Sequence, residues 1–332
     1  MKKSPFKLSL FMLGASLLCT GTAQAEISYR GSNNYLDGSR TSYSIGTGLR
    51  QNEFDWNIAS DTTGTATPNI LSELTWSDIV VFEVSGKLVH VQRANYGILK
   101  GNLLLEAEVV GGRTVTGDNQ DSDYNGDNRT LEFSRSNNNA NRGYSYGGEI
   151  ATGYEFNLAQ KKRPGSHTLF KMGPIIGYGF HRQEYVITEG NQTIPALGVF
   201  TGLDSKYIAD WYGPFAGLQT SLEHNRHLFT FRGEYHDLTY DAEAQWNLRA
   251  DFKQDPSYTH EADDASGIEL NAGYSYALDS FTDITLDYTY LDRKAENGTD
   301  TTFFVNDTVI STRLNEVNDT SHALRLGLTR LW

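Results

Sequence analysis

Apolar and polar residues alternate along much of this chain for longer than the strands of soluble domains usually run. From Tyr144 onward, Tyr144, Tyr146, Ile150, Tyr154, Phe156 and Leu158 fall on one face, while Ser145, Glu149, Glu155 and Asn157 fall on the other. Ile268, Leu270, Ala272, Tyr274, Tyr276 and Leu278 repeat the pattern against Glu269, Asn271 and Ser275. Ile284, Leu286, Tyr288 and Tyr290 alternate with Asp283, Thr285, Asp287 and Thr289. A period of two is the signature of a strand. Soluble strands average about five or six residues, whereas a strand that crosses a bilayer at a tilt needs about ten, with aromatic residues near its ends. Lipid cannot satisfy an open sheet edge. The pattern therefore predicts an all-β fold: a closed antiparallel transmembrane β-barrel, apolar toward lipid and polar toward the lumen.

Segment spacing predicts about ten strands, near residues 40–58, 70–91, 97–114, 142–158, 167–181, 206–222, 227–246, 266–278, 282–294 and 317–332. The connections alternate in length. Short turns fall at 92–95, 161–166, 223–226 and 279–280, and long polar loops near 59–69, 115–141, 182–205, 247–265 and 295–316. Outer-membrane barrels keep short turns in the periplasm and long loops outside. The chain ends on Trp332 after alternating Leu324, Leu326 and Leu328, as a C-terminal barrel strand would. No internal repeat or second domain interrupts the pattern.

The N-terminus adds the route. Lys2, Lys3 and Lys7 precede an apolar run from Leu8 to Leu18 and then Ala23, Gln24 and Ala25, which together read as a secretory signal cleaved after Ala25. Residues 1–25 are thus the expected signal peptide and 26–332 a single barrel domain in the bacterial outer membrane. Cys19, the one cysteine, leaves with the signal, so no disulfide is expected in the mature chain. The formal charge of −13 becomes −16 once the three signal lysines are removed, and so acidic a chain is a poor partner for nucleic acid.

One stretch carries candidate chemistry. Asp121, Asp123, Asn125 and Gly126, followed by Glu132, fit the spacing of a calcium loop. Asp121, Asp123 and Asn125 would supply side-chain oxygens, Asp127 its carbonyl and Glu132 a bidentate carboxylate. Calcium is the one cofactor the sequence suggests. Against it, Arg129 places a cation where an oxygen or water is wanted, and no amphipathic helix flanks the segment. A plain hydrogen-bonded loop, with Asp121 and Asp123 paired to Arg129, Arg135 or Arg142, is the simpler expectation.

Ten strands and five outer loops resemble the omptins, which are surface proteases. The segment from Ser72 through Leu74 to Trp76 fits this resemblance, as do Asp121, Asp123 and Tyr124, which stand where omptins have an acid pair followed by an aromatic residue. The stretches PNILSELTWSDI, GDNQDSDY and EFSRSNN resemble still more closely the Protochlamydia-type outer-membrane protein family, whose prototype is regarded as a porin. The omptin resemblance implies an Asp-His pair opposite the acid pair, with the imidazole as general base. This chain has Asn247 and Arg249 there, and neither can serve as that base at neutral pH. His260, beside Asp263 and Asp264, is the candidate substitute, whereas His236 and Asp237 fall mid-strand.

The functional expectation is a porin-like channel or a surface-binding scaffold with long outer loops, with an omptin-like endopeptidase as the alternative. Its surroundings would be outer-membrane lipid and lipopolysaccharide, and its ligands small solutes or extracellular molecules. Ten strands predict a narrow polar lumen, bridged by Glu149, Glu155, Arg232, Glu234, His236 and Asp287 acting chiefly as a salt-bridge network.

Overall fold

The computed structural model describes residues 39–332 apart from 97, 98 and 164, so the expected signal segment 1–25 lies outside the described residues. The strands are β1 (Ser39–Ile58), β2 (Ser72–Tyr96), β3 (Leu99–Gly126), β4 (Thr130–Arg142), β5 (Tyr144–Arg163), β6 (Ser166–Ile194), β7 (Gly198–Val199), β8 (Asp204–His224), β9 (His227–Gln245), β10 (Tyr258–Ala277), β11 (Thr282–Phe303) and β12 (Val309–Leu331). Each pairs antiparallel with its neighbours. The sheet closes because β1 bonds β2 along one edge and β12 along the other.

Twelve strands make ten staves. β4 pairs with β3 and β6 in the outer half, through Asp118↔Asn139 and Arg142↔Val186. β5 continues between the same neighbours, from Arg113↔Tyr144 and Ser145↔Gln183. The two are one stave broken at Gly143, whose φ of +126° is strained for any residue with a side chain. A Cβ there would come within 2.1 Å of the Glu184 carbonyl oxygen. β7 is a two-residue flap on β6, so the ten expected strands stand as ten staves.

The lipid-facing band follows the alternation. Val84, Leu88, Leu105, Val109, Ile150, Ile176, Leu218, Phe231, Ile268, Leu286, Leu324 and Leu326 are all exposed large apolar side chains on the outer face. Tyr144, Tyr146, Tyr178, Tyr235 and Tyr288 also face outward, toward the outer end of this band, where amphipathic rings suit an interface. Both described ends of the chain, at β1 and β12, share the end with the short turns.

The long polar loops are mostly not loops. β3 runs on to Gly126 and β4 resumes at Thr130, β6 reaches Ile194, β10 begins at Tyr258, and β11 and β12 extend to Phe303 and from Val309. Only 59–71, 195–203 and 246–257 remain as longer connections at that end, apart from flap β7. The staves stand well clear of the membrane. There the outer face meets water and carries polar residues, so alternation of hydrophobicity fades although the backbone ladder continues.

Candidate functional site

The bore holds two layers. Beyond the membrane, inward-facing residues form one apolar cluster including Phe54, Trp56, Trp76, Tyr185, Tyr207, Trp211 and Tyr240. The rings meet across the barrel: Phe54 of β1 stacks on Tyr185 of β6 at 4.9 Å, and Trp76 of β2 lies 5.4 Å from Tyr207 of β8. Tyr185 donates from its hydroxyl to Asn52 Oδ1 at 2.8 Å. Such aromatic contacts add to the hydrophobic stabilisation of burial, and they fill the lumen with side chains.

His260 belongs to this layer. The sequence placed it in a loop beside Asp263 and Asp264, and the structure corrects that. It points inward from β10, wholly buried, with Nδ1 2.7 Å from the Tyr207 hydroxyl and Nε2 3.2 Å from Asp300 Oδ1. Its ring meets Trp56 edge-on at 4.7 Å. The bulge between Ala262 and Ala265 resets the strand's facing beyond His260, and Asp300 is its register partner across β11. Tyr207 and Asp300, on distant strands, were invisible to a reading along the chain.

Asp121 and Asp123 are not on a loop either. They occupy successive inward positions of β3, opposite Leu74 and Ser72 of β2 and Ser136 and Ser134 of β4. Asp123 is hydrogen-bonded to Ser72 and Ser134. Burial, and after it the charge of Asp123, pushes the Asp121 carboxyl up to about 8, while Arg249 pulls the other way. The facing cation is thus Arg249, not Arg129, Arg135 or Arg142. Arg129 binds Glu73, its Nε donating at 2.9 Å to each carboxylate oxygen. Arg142 reaches Asp204 at 3.3 Å, and Arg249 also holds Asp251. Asn247 is consumed structurally: its Oδ1 accepts from the Asp204 backbone N–H at 3.0 Å and from the Ser205 hydroxyl at 3.1 Å.

The calcium set is spread out. Along an extended strand, Asp121, Asp123 and Asn125 stand roughly 6.6 Å apart in turn, whereas an EF-hand turns them around one ion. Glu132, the intended bidentate ligand, is gripped by Arg135, whose Nε donates to Oε1 at 2.7 Å. Asp127 tethers the β1–β2 connection, accepting from the Asn69 N–H at 3.0 Å and the Thr67 hydroxyl at 3.1 Å.

Inside the membrane the lumen is charged. Arg232 bridges Glu106, Glu149 and Glu234, and Lys87 holds Glu106 at 2.6 Å and Glu108 at 3.2 Å. Arg50 and Arg325 share Glu83, and Lys171 pairs with Glu155. Of the expected members, Glu149, Glu155, Arg232, Glu234 and His236 are joined by ion pairs, while Asp287 lines the cavity beside them. Arg50, Glu83, Lys87, Glu106, Glu108, Lys171 and Arg325 are members the sequence did not single out. A cavity of about 400 Å³ lies among them.

A comparison with curated proteins finds no match. Among solved structures, the chain is similar to the outer membrane protease OmpT from Escherichia coli, at 11% identity over 88% of this chain and 97% of that one, with a TM-score of 0.69. That likeness is one of fold. Neisserial surface protein A (NspA), also at 11% identity, covers 87% of this chain and 96% of its own with a TM-score of 0.25, too low to carry any argument. A family model described as Protochlamydia outer membrane protein matches residues 44–331, so the chain belongs to that family and is an outer-membrane β-barrel protein.

Proposed function

We propose that this outer-membrane barrel works as a closed, surface-displayed scaffold rather than as an open diffusion channel or a protease. The observation that carries the reading is the apolar cluster spanning the outer bore, in which Phe54, Trp76, Tyr207 and Tyr240 are each at most 1% exposed. Beneath it, Arg232 and its carboxylates cross the lumen a second time. Narrow barrels are filled by side chains, and wide water channels need about sixteen strands.

Two further features support it. The outer tips expose Leu131, Leu197, Val199 and Val305, apolar side chains suited to an extracellular ligand, while the outward tyrosines suit contact with lipopolysaccharide. An acid–base centre has no open partner, since Asn247 is bonded into the rim and His260 is sealed behind Tyr207 and Trp56. The test is conductance of the purified barrel in a planar bilayer, with cleavage of a dibasic peptide assayed in parallel. Neither unitary current steps nor cleavage is expected. Stable current steps would establish the channel reading, and cleavage lost in Asp121→Asn would establish the protease.

A further inference from the structure

We infer that the lumen carries a binding site for a divalent transition-metal cation, built from Glu234 and His236 of β9 and Glu269 of β10. Glu234 and Glu269 are direct cross-strand partners. Like charges placed so are destabilising, and Arg232 engages Glu234 through Oε1 alone. The other oxygen, Glu234 Oε2, is buried without a hydrogen-bond partner, and so is His236 Nε2. These two atoms face each other at 3.4 Å. Their residues are more than nine-tenths buried, at 4% and 8% exposure.

The geometry suits an ion. One donor atom from each of Glu234, His236 and Glu269 lies within 4.8 Å of the others. Bonds of about 2.0–2.2 Å in a tetrahedral site set ligand atoms roughly 3.3–3.6 Å apart, so the Glu234–His236 edge already has the right length. Glu269 is oriented from behind: its Oε1 accepts from Asn271 Nδ2 at 2.9 Å, and Asn271 Oδ1 accepts from the Thr289 hydroxyl at 2.7 Å. Outer hydrogen bonds of this kind fix metal ligands. His236 and Glu269 line the lumen cavity, which gives an entry path and room for a water as fourth ligand. One imidazole with two carboxylates favours a first-row transition ion such as zinc over calcium.

A second acidic cluster sharpens the choice. Glu106, Glu108 and Glu149 also converge, but Lys87, Arg232 and Arg325 already occupy them. At Glu234, His236 and Glu269 the one cation forming an ion pair among the described residues is Arg232, and it leaves Glu234 Oε2 and His236 Nε2 open.

The test uses the refolded barrel, stripped with a chelator and titrated with zinc, read by bound metal per chain and by the melting temperature. One zinc per barrel is expected, with a rise in melting temperature because the ion binds only the folded state. His236→Asn and Glu269→Gln should each weaken zinc binding by at least roughly tenfold, while Glu106→Gln should keep wild-type stoichiometry and affinity. Folding of every variant is checked by its heat-dependent migration on gels. Absence of stoichiometric zinc, uptake indifferent to both site variants, or equal loss in Glu106→Gln would each overturn the site and leave His236 as a simple lumenal partner of Glu234.

Discussion

His260 is held from both sides, with Nδ1 2.7 Å from the Tyr207 hydroxyl and Nε2 3.2 Å from Asp300. The trio has the residues of an acid–base relay but no route for a substrate, since it sits inside the aromatic layer. Its work is packing and polar satisfaction. His260→Ala removes a buried ring and one of two polar partners of Tyr207 and Asp300, which keep the Tyr240 and Thr312 hydroxyls. The loss is therefore that of a hydrogen bond, about 0.5–1.5 kcal/mol, plus the packing of the ring. A lower melting temperature without change in peptidase activity is expected from calorimetry and a peptide assay; an unchanged melt with altered cleavage would contradict this role.

Leu286 faces lipid from β11 and is 43% exposed, while Thr285 lines the lumen cavity. A charge on the lipid face near the midplane costs about 2–4 kcal/mol for Arg. Leu286→Arg should therefore cut the yield of folded, heat-modifiable barrel well below that of Thr285→Arg. The opposite ranking would mean that the strand faces the other way.

The membrane half of this protein was legible because lipid writes its demand on every second residue: Ile284, Leu286 and Tyr288 outward, Asp283 and Asp287 inward. Beyond the bilayer that demand disappears. Thr299, Asp300 and Thr301 continue β11 in register with β12, yet along the sequence they fall in the expected polar loop 295–316. The candidate site suffered likewise. Asp121 and Asp123 were found by their spacing, but the partners that decide their chemistry come from elsewhere: Ser72 and Ser134 from the flanking strands and Arg249 from the 246–257 connection. Asp300 lies forty residues from His260 along the chain, and only the strand register joins them.

Trypsin added to intact cells reports the topology. The stretches 115–141 and 295–316, long outer loops by the sequence pattern, are mostly paired strand and so poor substrates. Arg249 and Lys253 lie in the 246–257 connection and should be the sites of cutting, with fragments identified by mass spectrometry. Arg163, at the short β5–β6 turn, should survive until the outer membrane is breached. Cleavage there in intact cells would invert the assignment of inside and outside.

Asp121 makes stability depend on pH. Burial first, then Asp123, raise its carboxyl from the ordinary 3.8 to about 8, against the pull of Arg249. A folded-state value above the unfolded one means that the fold binds the proton more tightly than the open chain does. Its stabilising effect is complete below about pH 3.8 and is lost as pH rises through about 8. Asp121→Asn mimics the protonated form permanently, so the variant should melt close to wild type at pH 4 and above it at pH 9, as followed by circular dichroism in detergent. A variant that loses the same stability at both pH values would show that Asp121 acts as a charged hydrogen-bond acceptor instead. Calcium added at pH 9 separates the remaining reading. No rise in melting temperature is expected, because Arg135 already holds Glu132; a rise present in wild type and absent from Asp121→Asn and Asp123→Asn would make Asp121, Asp123, Asn125 and Glu132 a calcium site after all.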